Sequence, residues 1–167
     1  GFDGIDINMG CPDQSIEKQC AGAAMMKNPK LAQEIVKAAQ RGAVAGALAG
    51  AKIRGGDAKP IPVSVKTRIG YNKNELDTWL PALLEVNPSV ITVHCRTRKE
   101  MSKVPARWEH VREAVAIRDR VQADRAVEER TLIIGNRDIK DVTDGETKVR
   151  EAGADGAMLG RAIFGNP

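Results

Sequence analysis

Short apolar runs alternate with longer amphipathic stretches along the whole 167-residue chain, and no other feature limits its fold so strongly. Residues 4–8, 61–66, 90–94, 131–135 and 156–160 read as strands, because each run is short and several are rich in β-branched side chains. Residues 29–39, 74–85, 107–120 and 139–152 read as helices. Asn28 is placed to cap the first of these, with Pro29 at its first position, and Gly153 is placed to end the last. Residues 43–59, rich in Ala and Gly, read as a helix tail and a surface excursion.

A repeating strand–helix order implies a parallel sheet with helical crossovers, either doubly wound or a (β/α)8 barrel. Nearly every strand ends in polar or reactive residues: Asn8 and Cys11, Lys66 and Arg68, His94 and Arg96, Asn136 and Asp138, Gly160 and Arg161. A barrel carries all its strand ends to one mouth, whereas a doubly wound sheet gathers ligand groups at a single switch point. No G-x-G-x-x-G follows any strand. The expected fold is therefore α/β, a partial TIM (β/α)8 barrel of about five βα units. Residues 1–167 are expected to form one domain, incomplete at both ends, since five strands do not close an eight-stranded barrel.

Composition narrows the function classes. Hydrophobic content of 42% with 29% charged residues suits a soluble globular protein. No run approaches the roughly 18 apolar residues that span a bilayer, and no signal-peptide pattern opens the chain, so a cytoplasmic protein without a membrane partner is expected. The net charge of +4 permits a nucleic-acid partner, while 3% aromatic residues argue against an extended base-stacking platform. Cys11, Cys20 and Cys95 show no C-x-x-C spacing, so neither a disulfide framework nor a metal site is expected. Cys20 and Cys95 read as packing residues, and His110 carries no assignment.

At the strand ends the chain resembles the tRNA-dihydrouridine synthase family. The matching stretches are Asp6-Ile7-Asn8-Met9-Gly10-Cys11-Pro12, Val65-Lys66-Thr67-Arg68-Ile69-Gly70, His94-Cys95-Arg96-Thr97 and Ala106-Arg107-Trp108-Glu109. Further along come Gly135-Asn136-Arg137-Asp138-Ile139 and Asp155-Gly156-Ala157-Met158-Leu159-Gly160-Arg161, closing on Gly165-Asn166-Pro167. Any one of these is weak, but together they run in order over essentially the whole chain. The resemblance implies an FMN-binding barrel that uses NADPH to reduce the flavin and then reduces the C5–C6 double bond of uridines in tRNA. It aligns the chain with barrel strands four to eight and implies that the earlier units and a C-terminal helical domain are missing. A monomer is expected.

The same resemblance implies roles. Cys11 is the acid that protonates C5 of the uracil; a cysteine thiol, with an ordinary pKa of about 8.5, is largely protonated at neutral pH. Asn8, Lys66, His94, Asn136, Arg137, Asp138, Gly160 and Arg161 are expected around FMN. Among these, Lys66 stabilises the anionic reduced ring, and residues 136–138 with Gly160 and Arg161 hold the phosphate. Arg68, Arg96, Arg98 and Lys99 are expected to face tRNA; for Arg68 a flavin contact or a solvated surface position is the alternative, and for the basic run 96–103 a solvated loop. A uridine reaching Cys11 must leave its stack. Arg137 stands where the family has glycine, so it is either a disturbance of a close backbone approach or an added anion ligand. Two competing readings remain: another FMN barrel acting on a free pyrimidine, as dihydroorotate dehydrogenase does, and a truncated copy that holds no flavin.

Overall fold

A computed structural model of the chain describes residues 2–55 and 57–164, so the expected Gly165-Asn166-Pro167 motif lies outside the described residues. Five strands, β1 (Ile5–Met9), β2 (Val63–Arg68), β3 (Val90–His94), β4 (Leu132–Asn136) and β5 (Gly156–Met158), form one sheet. Every pair is parallel, and the spatial order is the chain order. A doubly wound sheet reverses its strand order at the switch point; this one never reverses, as an arc of a (β/α)8 barrel requires.

The crossovers carry α1 (Gln14–Glu17), α2 (Pro29–Arg54), α3 (Leu76–Leu84), α4 (Glu109–Val121) and α5 (Val142–Ala152). Asn28 caps α2 by accepting from the Leu31 N–H at 3.2 Å, ahead of Pro29. Asp141 caps α5 by accepting from the Asp144 N–H at 2.8 Å, and Gly153 closes it at φ 67. α2 corrects the expectation for residues 43–59: the helix does not stop near residue 39 but runs to Arg54. Alanines at 43, 45, 47, 49 and 51 favour the helix enough to carry it through Gly46 and Gly50, each of which costs about 1 kcal/mol relative to alanine. This extension leaves Val44, Leu48 and Ile53 exposed.

β2 also departs from expectation, starting at Val63 and ending at Arg68. Pro62 has no N–H to give the ladder; it contributes only its carbonyl, which accepts from Ile5 N at 2.9 Å. Lys66 therefore lies two residues inside the strand, and Arg68 stands at its end.

Alternation and register sort the sheet into two faces. Val63, Val65, Ile91, Val93 and Ile133 are buried in the same apolar core as Trp79, Leu80, Leu83, Val111 and Ala114 from α3 and α4. Thr67 lies on this helix-covered face too, its hydroxyl accepting from Trp79 Nε1 at 2.9 Å. The opposite face is mostly polar. It carries Asn8, Lys66, Thr92 and Ile134 in one registered row and Arg68, His94, Asn136 and Met158 in the next.

Candidate functional site

The row nearest the carboxyl ends of the strands is the floor of the site. His94 is 3% and Asn136 4% exposed, and the Asn136 amide donates to the Met158 carbonyl at 2.7 Å. His94 Nε2 and Asn136 Oδ1 are sealed from solvent with no hydrogen-bond partner, and so is Arg137 Nε just beyond the strand. Leaving such groups unpaired is costly, and each of the three residues that carry them lines a cavity. Burial, then the charges of Arg68 and Arg137, drives the His94 pKa down to about 2, which keeps the imidazole neutral. Burial, Arg137 and Arg68 also lower the Lys66 pKa. The site thus gathers cations with few anions among them.

Cys11 is set on the rim by its own turn. The Asn8 side-chain oxygen accepts from the N–H groups of Gly10 and Cys11, both at 3.0 Å. The Cys11 carbonyl accepts from Ala23 N at 2.8 Å, and Gly22 passes so close, at φ 59, that a Cβ there would lie 2.6 Å from that carbonyl. Cys11 is half-buried, whereas Cys95 is buried, and desolvation pushes its thiol up to about 12. Cys20 corrects expectation: it is exposed, at φ 57 in the loop after α1, and packs no core.

The arginines divide differently from the sequence expectation. Arg68 is 5% exposed; its guanidinium donates to the carbonyls of Gly10 at 2.7 Å, Thr97 at 3.0 Å and Met101 at 3.2 Å. It ties the Cys11 turn to the loop after β3 and is not a solvated surface group. Desolvation, followed by repulsion from Arg137 and Arg96, brings its pKa down to about 10. Arg96, 6% exposed, donates to Asp138 at 2.6 Å, and the same carboxylate oxygen accepts from Ala106 N at 2.7 Å. Burial raises the Asp138 pKa, but the Ala106 N–H and Arg96 outweigh it and leave the carboxyl below its ordinary value. Arg96 and Asp138 therefore join the loops after β3 and β4. Arg98 pairs with Glu17, its Nε 2.9 Å from the carboxylate, and packs over Tyr71. Of the four residues expected to face tRNA, only Lys99 is exposed, with Lys103 beside it in the same loop.

Two cavities open on this surface. One of about 360 Å³ is lined by residues 136–140, Met158, Gly160, Arg161 and Ala162. The other, of about 510 Å³, is lined by Pro12, Arg68, His94, Met101, Ser102, Arg137 and Arg161. Arg137 and Arg161 border both, and Arg68, His94, Asn136, Asp138 and Gly160 line one or the other, whereas Asn8, Cys11 and Lys66 line neither.

The family model described as Dihydrouridine synthase (Dus) matches residues 1–167. A probable tRNA-dihydrouridine synthase of Staphylococcus epidermidis is 38% identical over 168 aligned residues, which cover this whole chain and 44% of that protein. Probable tRNA-dihydrouridine synthase 2 of Bacillus subtilis is also 38% identical, with 45% of its length covered. The chain belongs to the dihydrouridine synthase family. It spans less than half the length of these relatives.

Several residues that build the candidate site were given no role by sequence reading, although Trp108 and Gly135 lie in stretches that resemble the family. Trp108 lies against Gly135 and donates from Nε1 to the Arg137 carbonyl at 2.9 Å, which orients the turn after β4. Gly135 inside a strand was the available signal, because an interior strand glycine marks a close approach. Glu17 and Tyr71 had none; they meet Arg98 only through tertiary folding. His110 sits in α4 with its Nδ1 2.9 Å from Glu113, away from the cavities' lining.

Proposed function

We propose that the chain supplies the acid and much of the cofactor cradle of an FMN- and NADPH-dependent tRNA-dihydrouridine synthase. The observation that carries this reading is the three partnerless polar atoms, His94 Nε2, Asn136 Oδ1 and Arg137 Nε, on the cationic face beside the Cys11 turn. Arg137 Nε would donate to a phosphate or carbonyl oxygen, Asn136 Oδ1 would accept from a ring N–H or a ribityl hydroxyl, and His94 Nε2 would do either according to its tautomer; FMN offers all of these groups. Residues 136–138, Gly160 and Arg161 would hold the phosphate, and Lys66 and His94 the ring. FMN, once reduced by NADPH, supplies a hydride to C6 of the uracil.

The chain's own residues do the rest. Cys11 Sγ gives its proton to C5 as negative charge develops there, and the resulting thiolate takes a proton from water. Arg68, which holds the Gly10 carbonyl next to Cys11, places a positive charge near that thiolate and steadies the turn. Asn8 positions Cys11 through its side-chain oxygen. Lys99 and the neighbouring Lys103 are the exposed cations of the loop for tRNA phosphates.

The test is the full-length protein with Cys11→Ala. Wild type should carry flavin absorbance and form dihydrouridine on tRNA. The variant should keep flavin reduction by NADPH and lose tRNA turnover by at least about 100-fold, the usual weight of a positioned acid. Unchanged turnover removes Cys11 from the chemistry, and absence of flavin from the wild type overturns the cofactor reading.

A further inference from the structure

Resting on that cofactor reading, the geometry points to Arg137 as a residue that tunes the bound flavin: besides bordering the cavity assigned to the phosphate, it lines the cavity that contains His94, assigned to the ring, and with Lys66 it favours the reduced, anionic cofactor over the oxidised one.

Arg137 sits at φ 97, a conformation that glycine takes freely and a long side chain does not. The fold keeps it there by holding its carbonyl with Trp108 Nε1 at 2.9 Å. Strain of this kind persists where the surroundings over-determine it, and it concentrates at ligand sites. The side chain has no structural use to offset the strain. It enters no ion pair among the described residues, its Nε is buried without a partner, and the adjacent Asp138 carboxylate is committed to Arg96 and Ala106.

Its position separates a local disturbance from a ligand. Arg137 borders both cavities, and the second of them also contains Arg68 and His94, the residues of the strand-end row. The charges felt by Lys66, Arg68 and His94 all include Arg137. In the folded chain it therefore adds repulsion among cations that lack a counter-ion. An anion between them would turn that repulsion into attraction, and the gain grows with the negative charge the ligand carries. A two-electron-reduced, anionic flavin carries one negative charge more than the oxidised ring, so the reduced form gains most.

The experiment compares the FMN-loaded full-length protein with its Arg137→Gly, Arg137→Gln and Arg137→Lys variants. Three quantities are read: the two-electron midpoint potential, the FMN dissociation constant by fluorescence quenching, and the melting temperature of the flavin-free protein. Glycine and glutamine should weaken preference for the reduced form by roughly tenfold, a fall of about 30 mV for a two-electron couple. Lysine should retain most of it. The flavin-free Arg137→Gly protein should melt no lower than wild type, since glycine accepts φ 97 without strain. A potential unchanged in Arg137→Gly and Arg137→Gln, or tighter FMN binding by the glycine variant, overturns this inference and leaves the cofactor reading standing. A wild type that binds no FMN overturns the cofactor reading itself.

Discussion

Gly135→Ala probes the coupling between the sheet and the proposed cofactor cradle. An alanine Cβ at 135 would lie 2.3 Å from Trp108 Cζ3 and 2.4 Å from Cη2, well inside van der Waals contact. The ring has little freedom to yield, because its other edge donates Nε1 to the Arg137 carbonyl at 2.9 Å. Accommodating the methyl costs about 1–3 kcal/mol of overpacking. If the ring swings, the lost hydrogen bond adds about 1 kcal/mol. The expected destabilisation is therefore about 2–4 kcal/mol, a large part of the 5–15 kcal/mol typical of a folded domain. Urea denaturation should show a lower midpoint with an unchanged slope. FMN affinity should fall as well, because the displaced ring releases the turn bearing Arg137 and Asp138. Gly135→Ala combined with Trp108→Leu should be less destabilised than the two single changes added together, since the smaller side chain removes the clash. A Gly135→Ala protein within about 0.5 kcal/mol of wild type, the range of ordinary surface substitutions, would refute the argument.

Three further outcomes are expected. Gly22→Ala should destabilise the protein by about 1–3 kcal/mol and slow tRNA turnover more than flavin reduction, because φ 59 and the 2.6 Å approach to the Cys11 carbonyl both require glycine; equal effects on the two half-reactions would count against it. The Arg107 side chain, with the Thr97 N–H and hydroxyl adding to it against the cost of burial, holds the Glu100 carboxyl at about 2 in place of 4.5. The unfolded state then binds more protons between those values, so the stabilisation is present above about pH 4.5 and lost as pH falls towards 2. Glu100→Gln should flatten that part of the stability–pH curve, and an identical curve would refute the pairing. Glu17→Gln should loosen the loop carrying Arg98, seen as faster amide exchange at Arg98 and Lys99, whose N–H groups donate to the Gly70 and Tyr71 carbonyls, both at 2.9 Å; unchanged protection would count against it.

Much of this architecture is local and so legible along the chain. The β/α alternation, the Asn28–Pro29 start, the Gly153 stop and the reactive strand ends each depend on neighbours a few residues away. Among the described residues no helix is long and apolar enough to cross a membrane. Boundaries were less legible where two local rules competed. The glycines near residue 46 suggested a break that alanine propensity overcame, and Pro62 moved β2 two residues on by withholding a donor.

Tertiary structure alone decided which cations remain free. Arg68, Arg96 and Arg137 are the same residue type at similar strand-end positions, and nothing local separates them. Arg68 is taken up by carbonyls 58, 29 and 33 residues away, and Arg96 by a carboxylate 42 residues away. Arg137 finds no acceptor for its Nε. Hydrogen bonds over such separations exist only after the strands have paired, so amino-acid order determines that positive charge gathers at these strand ends, and the closed loops determine which guanidinium is left without an acceptor for its Nε among the described residues.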